Sequence, residues 1–398
     1  MDPVVRGRIM VLSLVMVVVM MGFGMVIPIF PFYVERLGAG GSELGLLVAL
    51  ASLTEFIFAP AWGAVSDRAG RKPVLLIGLA GYLVGMILFG LADRLWMLFA
   101  IRGLSGVLSA AALSTSMAYV GDVTSDEDRA SGMGIIGSAM GLGVIIGPGV
   151  GGMLGSGNLS TPFFASAAMT FVAFAMVLFT LPESLTSNRG VADKEIRPPP
   201  GGLLEALRGP VGMLFFLAFL LSFGLTNFES IFGLYFSGKY GYGPQEVGAI
   251  LMVMGVVTTL GRGLLTGPLT RRWGEHSVIR GSLLMGSAGF LLLLRADTYP
   301  LILLATGFFI FSKTLLRPSI LSLVSKNTGM GQGAALGLSN SFMSLGRIAG
   351  PLWAGYAFDV NIDYPYLSGA AILFLGFLLS LAWWLRIQKK TNGGEPLP

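Results

Sequence analysis

The sequence predicts an all-α polytopic membrane protein. Three observations carry that reading. Of 398 residues, 54% are hydrophobic and only 12% charged, where a soluble domain carries about 25% charge. Apolar runs of membrane-crossing length recur along the whole chain, with a mean hydropathy of +0.77, and each is long enough for a helix to span lipid. Glycine is abundant, at 58 residues, which suits close helix–helix packing through small side chains.

Twelve spans are expected: 9–34, 42–65, 74–92, 95–119, 131–155, 162–181, 210–236, 244–268, 277–294, 299–323, 332–357 and 365–386. The first follows Arg6 and Arg8 as a signal peptide would, but it is too long and lacks a small-residue cleavage site, so it reads as a retained helix. Pro28 and Pro31 bend it. Spans 2 and 3 flank the charged turn Gly63-Ala64-Val65-Ser66-Asp67-Arg68-Ala69-Gly70-Arg71-Lys72-Pro73. With both termini inside, the inner loops and tails hold seventeen Arg and Lys residues. The outer loops hold four: Arg36, Arg94, Lys239 and Arg295. That asymmetry fixes the orientation.

One connection is long. It contains Arg197-Pro198-Pro199-Pro200-Gly201-Gly202, which cannot continue a helix, and Leu203 to Arg208 reads as a short helix on the membrane surface. The expected organisation is a six-helix bundle over 1–181, a cytoplasmic linker over 182–209, a second six-helix bundle over 210–390 and a cytoplasmic tail over 391–398. The halves repeat. Gly38, Glu43 and Gly45 recur 203 residues later as Gly241, Glu246 and Gly248. Gly143-x-x-x-Gly147-Pro148-x-x-Gly151-Gly152 recurs at the same offset as Gly346-x-x-x-Gly350-Pro351-x-x-Ala354-Gly355. Two bundles related by an axis along the membrane normal, with a site near the midplane, follow from such a repeat.

The absence of cysteine excludes disulfides and thiolate chemistry. The single histidine, His276, reads as a solvated loop residue. No nucleophile–base pair, metal cluster or phosphate-binding loop is apparent, which disfavours an enzyme. The net charge of +5 reflects loop topology, and no basic cluster outside the short loops points to nucleic acid.

Two carboxylates lie deep in expected spans, Glu55 and Glu229. An ionised carboxylate at mid-bilayer costs roughly 2.5–3.5 kcal/mol on insertion scales, so each needs a partner or a proton. That suits a proton carrier; a paired or protonated structural carboxyl is the plainer reading. Five cations also fall within spans: Arg102, Arg262, Lys313, Arg317 and Arg347. Arg262 and Arg347 are near enough to span ends to snorkel or pair. Arg102 falls near Glu55, either as a proton-linked partner or in a static salt bridge. Lys313 and Arg317 are four apart, on one face of span 10, where they favour an anionic or zwitterionic substrate or hold Glu229 ionised. Candidate cavity aromatics are Phe30, Phe56, Phe228, Phe232, Tyr235, Phe308 and Phe342. Gly143, Gly147, Pro148, Gly151, Gly152, Gly350 and Pro351 mark a kinked, closely packed seam at matching places in both halves.

The motifs together resemble the major facilitator superfamily. Gly63 to Pro73 resembles its signature between spans 2 and 3, and Arg102-x-x-x-Gly106 its second signature. The Gly143 to Gly152 run is similar to the glycine–proline motif of its antiporter branch. Gly24-x-x-x-Pro28-x-x-Pro31 is similar to the span 1 motif of twelve-span drug:proton antiporters. A closer likeness, to bacterial quinolone and multidrug exporters, rests on Leu221-Ser222-Phe223-Gly224-Leu225-x-x-Phe228-Glu229-Ser230, Arg317-Pro318 and Gly331-Gln332-Gly333. The resemblance implies the major facilitator fold and proton coupling at Glu229. It departs from the family at Thr314, where such exporters can carry an acid, and at Glu55, where they tend to carry Gln. It also makes Gly63, Asp67, Arg68, Gly70, Arg71 and Asp122 a cytoplasmic gate. Asp67 then lies against the start of span 11, whose helix N-terminus favours negative charge, and Asp122 is the expected partner of Arg71. The counterpart segment, Gly267 to Gly274, has Arg271 and Arg272 and no Asp. The second latch is therefore expected to be degenerate.

The expected function is a proton-coupled exporter of amphipathic small molecules in a bacterial inner membrane. It would work as a monomer, with no cofactor beyond the proton gradient, and with substrate, protons and membrane lipid as partners. A lipid or anionic-amphiphile flippase and a proton-coupled uptake symporter are the alternatives; a sensor would be expected to add a soluble signalling domain. The span 5 motif favours export over uptake.

Overall fold

The computed structural model describes residues 2–185, 206–207, 211–328 and 331–392. Most of the expected linker, including Arg197 to Gly202 and nearly all of the Leu203 to Arg208 helix, lies outside the described residues, as does the tail beyond 392. Among the described residues every regular element is helical. The helices are α1 (Pro3–Val26), α2 (Phe30–Arg36), α3 (Gly41–Ala69), α4 (Arg71–Leu91), α5 (Leu95–Val123), α6 (Asp126–Gly155) and α7 (Thr161–Thr180). After the linker come α8 (Gly212–Tyr240), α9 (Pro244–Leu260), a π turn (Gly261–Leu265), α10 (Thr266–Arg295), α11 (Tyr299–Asn327), α12 (Gln332–Val360) and α13 (Tyr364–Asn392).

Among the described residues, ten helical stretches are long and apolar enough to cross a membrane. One of them, Pro244–Arg295, is 52 residues long. Gly274 breaks it with φ 74°, so it amounts to two spans. α12, at 29 residues, is less apolar and completes the expected twelve.

Local chemistry explains the boundaries. The Asp2 side chain caps α1, accepting from the Val4 amide at 3.1 Å, and Pro3 sits where a helix tolerates proline. Pro28 and Pro31 do more than bend span 1, because the helix stops at Val26 and restarts at Phe30. At α3 the Gly40 amide donates to Glu43 Oε2 at 2.9 Å, the one half of a capping box that a glycine can make. The charged segment from Gly63 is mostly helical: α3 runs to Ala69, and Gly70 alone breaks it with φ 102°. Helix ends project beyond the apolar slab, so charged residues there need not be loop.

The chain forms two compact units, Met1–Lys194 with Phe232–Gly255, and Glu195–Ile231 with Val256–Pro398. The end of α8 and most of α9 thus belong to the first unit. Gly233 leaves room for Pro31, and Gly248 closes on Gly152 at 3.1 Å from where an added Cβ would stand. The first core joins Ile9, Leu12 and Val15 of α1 to Leu75, Leu79, Tyr119 and Val177. The second contains Phe228, Phe290, Phe309 and Tyr366, with ring centroids 4.5 to 6.1 Å apart. Each such pair contributes about 0.5–1.5 kcal/mol beyond burial.

The repeated glycines make equivalent contacts in the two units. A Cβ on Gly143 or Gly147 would stand 2.6 Å from the Val17 or Met21 carbonyl of α1. On Gly346 or Gly350 it would stand 2.5 or 2.7 Å from the Phe219 or Phe223 carbonyl of α8. Backbones approach this closely only where no side chain intervenes. Gly151 faces Met25, Gly152 faces Pro244 of α9, and Pro148 and Pro351 lie inside their helices.

Candidate functional site

Gly70 separates α3 from α4, and its φ of 102° is one that side-chain-bearing residues rarely adopt. The break turns Arg71 inward, where it is buried. Its Nε meets Asp122 Oδ2 at 2.8 Å, and one terminal nitrogen meets Asp67 Oδ1 and Ser66 Oγ, each at 2.6 Å. The expected Arg71–Asp122 pair is therefore present. Glu183 completes the network. Its carboxylate accepts from the amides of Arg71 at 2.8 Å and Lys72 at 3.1 Å, capping α4, and from those of Ser184 and Leu185. Burial alone would raise this carboxyl. The four amide donors outweigh burial and hold it below the ordinary carboxyl value. Sequence reasoning missed Glu183; the signal was a lone acid after Pro182 at the inner end of a span. Arg68 is exposed, and Gly63 has open space where a Cβ would stand. The geometry gives neither a role in this network.

The second half is not degenerate. Gly274 repeats the left-handed break of Gly70, and Glu275 follows it as Arg71 follows Gly70, both 204 residues on. Glu275 pairs with Lys326 at the end of α11, and Lys326 stands 204 residues after Asp122. An ion pair therefore recurs at this position of the repeat with its charges exchanged. Ser322 Oγ donates to Glu275 at 3.0 Å. Searching for an Asp overlooked this, since the repeat preserves an ion pair rather than its polarity.

Among the in-span charges, Glu55 is half-buried and joins no ion pair with Arg102 among the described residues. Arg102 feels its charge, but the guanidinium lies 5.1 Å over the Phe30 ring and donates to the Leu47 carbonyl at 3.4 Å. Glu229 is exposed although α8 is the most enclosed of the spans, so its side chain projects into open space at mid-helix. Lys313 is nearby. It is buried, its ammonium lies 5.5 Å over the Phe309 ring, and its Nζ has no hydrogen-bond partner. Gly224 makes its room, because a Cβ there would stand 2.9 Å from Nζ. Glu229 acts on Lys313 through charge without a closed ion pair among the described residues. Lys313 and Arg317 do not share an environment as their spacing implied: Arg317 is exposed. Thr314 spends its hydroxyl on the Ile310 carbonyl at 2.9 Å.

Of the cavity aromatics, Phe308 is exposed and Phe56 half-buried. Phe30, Phe228, Phe232, Tyr235 and Phe342 are packed inside instead. Phe342, for example, stacks on Phe215 at 5.6 Å. Aromatic rings in a span fill helix–helix gaps as readily as they line a cavity, and periodicity cannot separate the two.

A family model described as Major Facilitator Superfamily matches residues 12–263 and 214–398. The chain belongs to the major facilitator superfamily. As a member it is a multi-pass membrane transporter and not an enzyme. It is 33% identical to multidrug resistance protein 1 of Bacillus subtilis over 91% of this chain and 92% of that one. It is 29% identical to the quinolone resistance protein NorA of Staphylococcus aureus over 94% and 96%. The solved structure of the nucleoside transporter NupG shares the fold, with TM-score 0.78, 15% identity, and coverage of 95% of this chain and 98% of that one.

Proposed function

We propose that this chain exports amphipathic drug-like molecules by alternating access, driven by protons entering the cell. Support for export of drugs comes from the similarity to multidrug and quinolone resistance proteins. The observation that carries proton coupling is Glu229, a carboxyl exposed to open space in the most enclosed span, beside the unpartnered ammonium of Lys313. Protonated, Glu229 leaves Lys313 without a counter-ion. Ionised, it gains one, and the two groups draw together. A proton thus exchanges one arrangement of α8 and α11 for another, and an intramembrane charge pair is the usual seat of such relays. Glu55 is a second proton site in this reading, near an Arg102 that is held by the Phe30 ring and the Leu47 carbonyl. Asp67, Arg71, Asp122 and Glu183 hold the cytoplasmic ends of the first half, and Glu275 and Lys326 those of the second. The protein works as two six-helix halves joined by the 182–209 linker, in a bacterial inner membrane with both termini cytoplasmic.

Reconstituted vesicles with an imposed pH gradient test the proposal. An amphipathic dye transported by the wild type should lose its gradient-driven component in Glu229→Gln while downhill exchange persists. Undiminished gradient-driven transport by Glu229→Gln refutes coupling at this residue.

A further inference from the structure

Three arginines of the second unit influence one another through charge, and none has a carboxylate partner among the described residues. Arg262 lies in the π turn, Arg317 on α11 and Arg347 on α12, all inside expected spans. The π turn delivers Arg262. It carries Gly261 against α11, where an added Cβ would stand 3.0 Å from Thr314, three residues before Arg317. Thr266 Oγ1 stabilises the turn by donating to the Gly261 carbonyl at 3.0 Å. Such π insertions are rare and concentrate at functional positions. Arg347 donates to Ser344 Oγ at 2.8 Å, while its Nε is buried with no acceptor. Arg262 and Arg317 are exposed. Arg262 and Arg347 each act on Arg317 through like charge. Among the described residues no carboxylate pairs with any of the three.

Like charges gathered at membrane depth raise one another's energy, and an anion placed among them removes that cost. We infer that Arg262, Arg317 and Arg347 form a binding site for an oxyanion, a carboxylate or phosphate, carried on an apolar body. Guanidinium groups present donor pairs that match the two oxygens of such a group. The exposed pair admits the ligand, and the idle Nε of Arg347 offers a further donor. The apolar body follows from depth, since the anion must arrive among membrane-spanning helices. Lys313 stays outside the site, because its ammonium is turned toward Gly224 and Phe309. The inference rests on the transporter reading and gives that reading a substrate class: amphiphiles bearing an oxyanion, whether soluble carboxylates or phospholipids.

The test measures binding rather than transport. The full chain is placed in phosphatidylcholine nanodiscs, and equilibrium dialysis compares 2-naphthoate with its neutral isostere 2-naphthamide. Naphthoate should bind at least about tenfold more tightly, and Arg317→Gln and Arg262→Gln should each weaken it by about tenfold while leaving naphthamide unchanged. Arg317→Lys should recover part of the loss, which separates charge from misfolding, and size-exclusion profiles check the fold. Native mass spectrometry in phosphatidylglycerol reports the other source. If the Gln variants lose retained phosphatidylglycerol while naphthoate does not bind, the site stands and its anion is a headgroup. Equal naphthoate and naphthamide binding, with lipid retention unchanged in the variants, overturns the inference. Intact anion binding with no vesicle transport of any probe would instead sink the transport proposal and leave the site.

Discussion

The two gate pairs occupy equivalent positions with exchanged charges, and burial predicts that they differ in worth. In the first half the Arg71 side chain is 9% exposed and Asp122 16%. Arg71→Met takes the guanidinium away from an enclosed Asp122, which keeps the Ser184 Oγ donor 3.3 Å away. Removing one partner of a buried pair costs about 3–5 kcal/mol. Asp67, 56% exposed, returns to water and adds little, and the Ser184 bond pulls the figure to the lower end, about 3 kcal/mol. In the second half Glu275 is as enclosed as Asp122, at 17%, but Lys326 is 61% exposed; its attraction is screened by water and Glu275 keeps the Ser322 Oγ donor, so Lys326→Met costs about 1 kcal/mol. The difference, about 2 kcal/mol, is roughly a thirtyfold change in the unfolding equilibrium. Reversible unfolding in mixed dodecylmaltoside–SDS micelles, followed by circular dichroism, measures both variants against the wild type. Equal losses from Arg71→Met and Lys326→Met would show that position in the repeat, not burial, sets the strength of the latch.

Glu183 should make the Arg71 network at the start of α4 acid-sensitive. Its folded carboxyl lies below its unfolded value, so its stabilisation is complete above the ordinary carboxyl range and is lost as pH falls through the lowered folded value. Hydrogen exchange at the first turn of α4 should therefore quicken on acidification, and Glu183→Gln should be fast at neutral pH already. Lys313→Met removes a buried, unpartnered ammonium and should raise the thermal midpoint in detergent while abolishing gradient-driven transport, the trade expected of a strained functional group; a lower midpoint would contradict the burial argument. Gly147→Ala and Gly350→Ala each push a Cβ to 2.6 or 2.7 Å from a neighbouring backbone carbonyl. Both should lose about 1–3 kcal/mol in the same unfolding assay, whereas Gly63→Ala, with open space around it, should lose much less.

Helices, spans, the twofold repeat and the glycine seams were legible because each is a local or periodic property. Apolar length is written in every run, and a 203-residue offset survives whatever the helices do in space. The Arg71–Asp122 pair was legible through its motif. Lys313 and Arg317 show where that legibility stops. Their four-residue spacing put both on one face, yet one is buried against Phe309 and the other exposed, since the neighbouring helices cover half of that face.

By itself the sequence determined the membrane class, the span order and the glycine positions where backbones meet. These follow from hydropathy and from the volume that glycine lacks. The tertiary structure decided which charges have partners. Glu183 reaches Arg71 across 112 residues, and Glu275 reaches Lys326 across 51. Arg262, Arg317 and Arg347 come from three helical segments, and among the described residues no carboxylate pairs with any of them. Electrostatic partnership is set by distance and burial in space, and sequence separation records neither.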